Sequence, residues 1–147
     1  MIRFTIHGEP RGKGRPRVVR RGKYIMTYTP QETVVYENLV RFEYQRQCGN
    51  FRFDDDDQLC ISVVAFYAIP KSASKAKRAA MLKGEIRPTK KPDVDNVLKV
   101  IADSLNQIAY RDDAQIVRAI INKRYALTPC VCVEIEAMDE QKKEEAL

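Results

Sequence analysis

The sequence predicts an α/β domain of the α+β kind, one mixed β-sheet flanked by helices, and three observations carry the prediction. Residues 59–69 are apolar at nearly every position, the mark of a strand buried inside a sheet. Two segments, 29–48 and 92–110, repeat apolar residues at helical spacing. Two further strand-like runs, 115–125 and 131–138, follow the last helical segment. At 147 residues the chain is one domain's worth, able to bury a core without disulfides or structural metal. The domain is expected over residues 1–138, with a charged tail over 139–147.

Residues 2–7 alternate and open the chain as a strand. Gly8 to Arg17 holds three glycines and two prolines, so it is a loop. It is basic and could lay amides, Arg15 and Arg17 against phosphates, but it lacks the Gly-Lys-Ser/Thr ending of a P-loop. Val18 to Tyr28 reads as a hairpin turning at Arg21-Gly22. Thr29 is the expected N-cap of a helix with Pro30 in its first turn, Val34, Val35, Leu39 and Phe42 along its apolar face, and Gly49 at its end. Tyr36, Phe42 and Tyr44 are read as core rather than as base-stacking groups. The acidic run Asp54 to Asp57 is read as a solvated loop. Pro70 stops the long strand, and Ser72 to Leu82 is a short basic helix. The strands at 115–125 and 131–138 are expected to be antiparallel neighbours joined through Leu127-Thr-Pro-Cys130.

Composition narrows the function. Charged residues make up 31% and apolar residues 44%, which excludes a disordered chain. No apolar run is long enough to cross a bilayer and no apolar leader precedes the first strand, so a cytoplasmic location is expected. Cys48, Cys60, Cys130 and Cys132 form no Cys-x-x-Cys pair and lie far in sequence from the one histidine, His7, which fits reduced thiols better than a zinc site. The net charge is +6, yet residues 1–23 and 71–91 each hold eight Lys or Arg against one acid. Blocks this one-sided are the footprint of a polyanion binder, and nucleic acid is the expected partner. Lys13, Arg15, Arg17, Lys75, Lys77 and Arg78 are the candidate phosphate contacts.

The chemistry concentrates at Lys91-Pro-Asp-Val-Asp-Asn-Val-Leu-Lys99. A helix starting at Pro92 needs one cap, Asp93 or Asp95, and so explains one of the two aspartates. Val97, Leu98, Ile101, Leu105 and Ile108 form its apolar stripe, and Asp95, Lys99 and Asp103 share another face at i, i+4 and i+8. A solvated charge ladder would read the same way. Asp112-Asp113, one helix later, changes the balance: if the following strand pairs near the helix start, its carboxylates return toward Asp93 and Asp95. Carboxylates gathered so repel one another until a divalent cation binds. Oxygen ligands without His or Cys favour Mg²⁺, with Mn²⁺ able to substitute. Such a metal can activate water against a phosphodiester, with Lys99 stabilising the charge that develops.

Pro92-Asp-Val-Asp-Asn-Val-Leu-Lys99, then Asp103-Ser-Leu-Asn106, then Tyr110-Arg-Asp-Asp-Ala-Gln-Ile-Val117 resembles the signature of RusA-type Holliday junction resolvases. The opening Gly8-Glu-Pro10 with Lys13 and Arg15-Pro-Arg17 is similar to the prophage-borne branch. The resemblance implies a Mg²⁺-dependent endodeoxyribonuclease acting in DNA recombination and repair. It implies metal-binding catalytic roles for Asp93, Asp95 and Asp113, and a catalytic role for Lys99. It leaves the roles of Asp103 and Asp112 open, with Asp112 a possible further ligand. It also implies a homodimer, and a nearly two-fold four-way junction needing two symmetric nicks suits a C2 pair of sites. Two alternatives remain: a non-catalytic branched-DNA-binding module of the same fold, and a nuclease for flaps or other branched DNA.

Overall fold

A strand apolar at nearly every residue suits a place with a neighbour on both edges, and β4 (Leu59–Ala68) has them. The computed structural model describes residues 1–139. It places β4 between β6 (Cys130–Ala137), which runs antiparallel to it, and β5 (Ile116–Ala126), which runs parallel. β1 (Ile2–His7) pairs antiparallel with β6, giving a four-stranded mixed sheet in the order β1-β6-β4-β5. The expected adjacency of the last two strands is therefore corrected. Both strands exist, but β4 separates them, and the three residues between Ala126 and Cys130 cross two strand spacings of roughly 5 Å each. Pairing β4 on both sides satisfies more backbone than leaving it at an edge.

β2 (Arg17–Arg21) and β3 (Tyr24–Tyr28) form a separate two-stranded ribbon. The expected hairpin is present, turning through Gly22, whose φ of +60° favours glycine.

One face of the large sheet carries the core. Phe4 and Ile6, Ile61, Val63, Ala65 and Tyr67, and Val131, Val133 and Ile135 are buried beneath α1 (Gln31–Cys48) and α3 (Val94–Ser104). The expected face of α1 is wrong: Val34, Val35 and Phe42 are exposed, while Thr33, Tyr36, Val40, Glu43 and Tyr44 are buried. Two inward residues are polar, which hides this face from apolar periodicity. Glu43 tolerates burial because Arg46 and Gln47 donate to its carboxylate at 2.7 and 2.6 Å. Tyr36 and Tyr44 are core as expected, and Phe42 is not. The N-cap is Pro30 rather than Thr29, and no side chain caps this helix.

α2 (Lys75–Lys83) is capped by Ser74, whose hydroxyl accepts from the Lys77 amide, and packs on β5. α3 is shorter than its pattern, ending at Ser104 instead of reaching Tyr110. The chain reverses at Gln107, in the left-handed region at φ +66°, yet Leu105, Ala109 and Tyr110 stay buried, so core periodicity outlasts the helix. Tyr110 donates from its hydroxyl to the Ala102 carbonyl at 2.7 Å and pins the reversal back on the helix. Of the expected tail, residues 140–147 lie outside those described.

Candidate active site

Two grooves flank α3. One, of about 750 Å³, is walled by the basic loop (Lys13, Arg15 and Arg17) and by Lys91, Asp93 and Asn96. The loop lies against the helix start so closely that a Cβ on Gly12 would fall 2.5 Å from the Asn96 amide nitrogen. Its other side is tied to α1, where the Gly14 amide donates to Thr33 Oγ1 at 2.9 Å. The second groove, of about 380 Å³, is lined by Asp95, Lys99, Asp113 and Arg118.

The helix start is held from beneath. Tyr67, on the central strand, donates from its hydroxyl to the Pro92 carbonyl at 2.8 Å. The ammonium groups of Lys90 and Lys123 lie 5.8 and 5.1 Å from its ring centre. Asp93 occupies the N-cap position, but its side chain makes no capping hydrogen bond. Capping therefore accounts for neither aspartate carboxylate of the motif.

Asp112 and Asp113 are fixed by backbone. Asp112 caps the short 3₁₀ turn Asp113–Gln115, accepting from the Ala114 amide while Gln115 Oε1 accepts from the Asp112 amide. Gln115 Nε2 in turn donates to the carbonyls of Asp54 and Asp57, so the acidic run 54–57 supports the turn through its backbone. Asn106 Oδ1 accepts from the Asp113 amide at 2.8 Å.

These restraints bring Asp113 to Asp103 near the end of α3, not to its start. Asp95 lies eight residues before Asp103, about 12 Å along the axis, with Lys99 between them. Asp95, Lys99 and Asp113 thus share one groove, whereas Asp93 opens into the other with Lys13, Arg15 and Arg17. Lys75, Lys77 and Arg78 lie on α2 and line neither groove. Among the described residues no three His, Cys, Asp or Glu side chains gather closely enough to hold a metal ion as they stand. Sequence reasoning named Lys13 as a phosphate contact but missed its partner, and it missed Arg118 altogether. Lys13 reaches from the loop to bond Asp103, and Lys99 lies 3.6 Å from the same carboxylate. Arg118 enters the second groove from β5. A helical ladder shows Lys99 beside Asp103, but no spacing rule joins residues ninety positions apart, as Lys13 and Asp103 are.

The carboxylates influence one another. A hydrogen bond with Asp112, then burial and the nearby Asp103, push the Asp113 carboxyl up to about 6. For Asp103, burial acts upward but is outweighed by the hydrogen bond and charge of Lys13, with Asp113 and Lys99 adding, so it stays below its ordinary value. Asp112 is lowered by its hydrogen bonds to Asp113 and the Ala114 amide. A carboxyl raised in the folded state stabilises fully below its ordinary 3.8, and that contribution is lost as pH rises through about 6. Urea unfolding across that window should therefore show a downward stability slope that Asp113→Asn removes; an unchanged slope would refute the assignment.

A family model for "Endodeoxyribonuclease RusA" matches residues 7–136. The chain is also 36% identical over 137 residues to the uncharacterized protein YqaN of Bacillus subtilis (strain 168), spanning 91% of this chain and 94% of that one.

Proposed function

This chain belongs to the RusA endodeoxyribonuclease family, and from that premise we propose that it resolves Holliday junctions by paired symmetric nicks, using Mg²⁺, during DNA recombination and repair. The observation that supports this most directly is the groove lined by Asp95, Lys99 and Asp113, which opens beside a second groove walled by arginines and lysines. Branched DNA is the proposed substrate, the cytoplasm the proposed location, and a homodimer the proposed working form. Among the described residues no helix is long and apolar enough to cross a membrane.

The donors fit a hard divalent cation. They are carboxylates, the ligand type such ions prefer, and Asp112 and Asp103 sit close enough to Asp113 to help push its carboxyl up to about 6. In this proposal Asp95 and Asp113 would hold the ion from the second groove, with Asp112 and Asp103 beside Asp113, and Asp93, which lines the other groove, would have to reach across the helix start to join them. Bound there, Mg²⁺ (or Mn²⁺) supplies Lewis acidity to the phosphodiester and an activated water. Lys99 stabilises charge on the phosphate in flight. Lys13, Arg15 and Arg17 hold the backbone on the Asp93 side, and Lys75, Lys77 and Arg78 hold it from α2, at greater remove.

The test is a fixed-sequence four-way junction incubated with purified protein in Mg²⁺ and, in parallel, in Ca²⁺. Paired nicks in opposite strands with Mg²⁺, and binding without nicking in Ca²⁺, are expected. Salt-sensitive binding with no nicking under any divalent ion would identify a non-catalytic module instead. Equal cutting of flaps and junctions would identify a broader branch nuclease.

A further inference from the structure

The β2–β3 ribbon, Arg17 aside, has no part in the chemistry above, yet its surface is unusual. Apart from half-buried Val19, every residue of both strands is exposed. From Arg17 to Tyr28 the ribbon carries Arg17, Arg20, Arg21 and Lys23 and no acid. Its register sets Arg17 opposite Tyr28, Val19 opposite Met26, and Arg21 opposite Tyr24. Directly opposed residues share a face, so one face reads arginine–tyrosine, valine–methionine, arginine–tyrosine. Tyr24 is 76% exposed and Tyr28 47%.

A lone two-stranded ribbon is marginally stable in water, and open aromatic and aliphatic surface on it marks a contact site. The charge selects the occupant. Four cations without an acid repel a second copy of the same ribbon and attract a polyanion. Tyrosine rings set beside guanidinium groups suit a base and its phosphate together, because every base has a π-face and every nucleotide a charge. The two tyrosines are four residues apart on one strand, about 13 Å, enough to serve separate bases. Arg17 belongs both to the ribbon and to the groove containing Asp93, so the ribbon continues that groove's wall.

We propose that Tyr24 and Tyr28 stack on bases unstacked at a DNA branch point, so that this ribbon supplies the preference for branched over linear DNA. A linear duplex keeps its bases stacked inside and offers the ribbon only phosphates. The inference rests on the branched-DNA reading above and deepens it.

The experiment compares the full chain with Tyr24→Ala and Tyr28→Ala in Ca²⁺, measuring affinity for a four-way junction and for a linear duplex of the same sequence. The junction carries 2-aminopurine at the branch point as a stacking reporter. Both tyrosines are exposed, and unaltered thermal unfolding of the variants verifies that the fold is kept. Each alanine variant should lose about tenfold in junction affinity, keep its duplex affinity within about twofold, and lose the 2-aminopurine response, which Tyr24→Phe retains. Equal losses on junction and duplex would overturn the proposal in favour of general backbone grip. A changed sedimentation coefficient of the free variants would overturn it in favour of a contact between protein copies. Unaltered protein that prefers the junction, with alanine variants behaving identically, defeats this inference alone. Unaltered protein with no preference for the junction defeats the branched-DNA reading with it.

Discussion

Asp95→Asn is expected to bind a four-way junction at least as tightly as the unaltered protein and to nick it on the order of 10²–10³-fold more slowly, or not at all, in Mg²⁺. Asparagine keeps the shape of the side chain and removes its charge, which would delete the proposed metal ligand and relieve repulsion of nearby phosphates. Asp95 is exposed on the first turn of α3, and its substitution leaves the core untouched. Asp54→Asn is the matched control, an aspartate of the acidic run that lines neither groove, and its nicking rate should not change. Wild-type nicking by Asp95→Asn would remove the second groove from the mechanism.

Tyr67→Ala should have the largest effect on stability, about 3–5 kcal/mol by denaturant unfolding. The ring is 1% exposed in the central strand, and its hydroxyl holds the carbonyl of Pro92, the residue before Asp93. Tyr67→Phe separates the two roles. It keeps the packing, should cost only about 0.5–1.5 kcal/mol, and should still slow nicking, because the tether on the helix start is gone. A Tyr67→Phe protein with unaltered nicking would mean that the tether serves stability alone.

Much of the architecture was legible because burial leaves a period in the residues. β4 announces itself by near-continuous apolarity, and α3 by the stripe through Val97 and Ile101. What local pattern does not carry is pairing across the chain. Nothing in 115–138 says that β4 inserts between the two strands, since that follows from the needs of β4 itself. α1 was turned the wrong way because Thr33 and Glu43 face inward, their polarity satisfied by partners that periodicity cannot weigh. The same limit governs the site. The aspartates were visible as candidates, but the end of α3 that Asp113 reaches depends on the reversal at Gln107 and on Asn106 gripping the Asp113 amide. That reversal carries Asp113 to Asp103, and the pairing of Lys13 with Asp103 joins residues that no motif links.

Asp93 sits where a capping residue belongs and does not cap. The first amides of α3 are thereby spared from a side-chain partner, and the carboxylate is spared from folding duty. Replacing the side chain at position 93 therefore forfeits no cap bond, so the helix can hold its shape while the groove changes what it holds. Stability and reactivity, coupled at Tyr67, come apart only one residue beyond the proline it tethers.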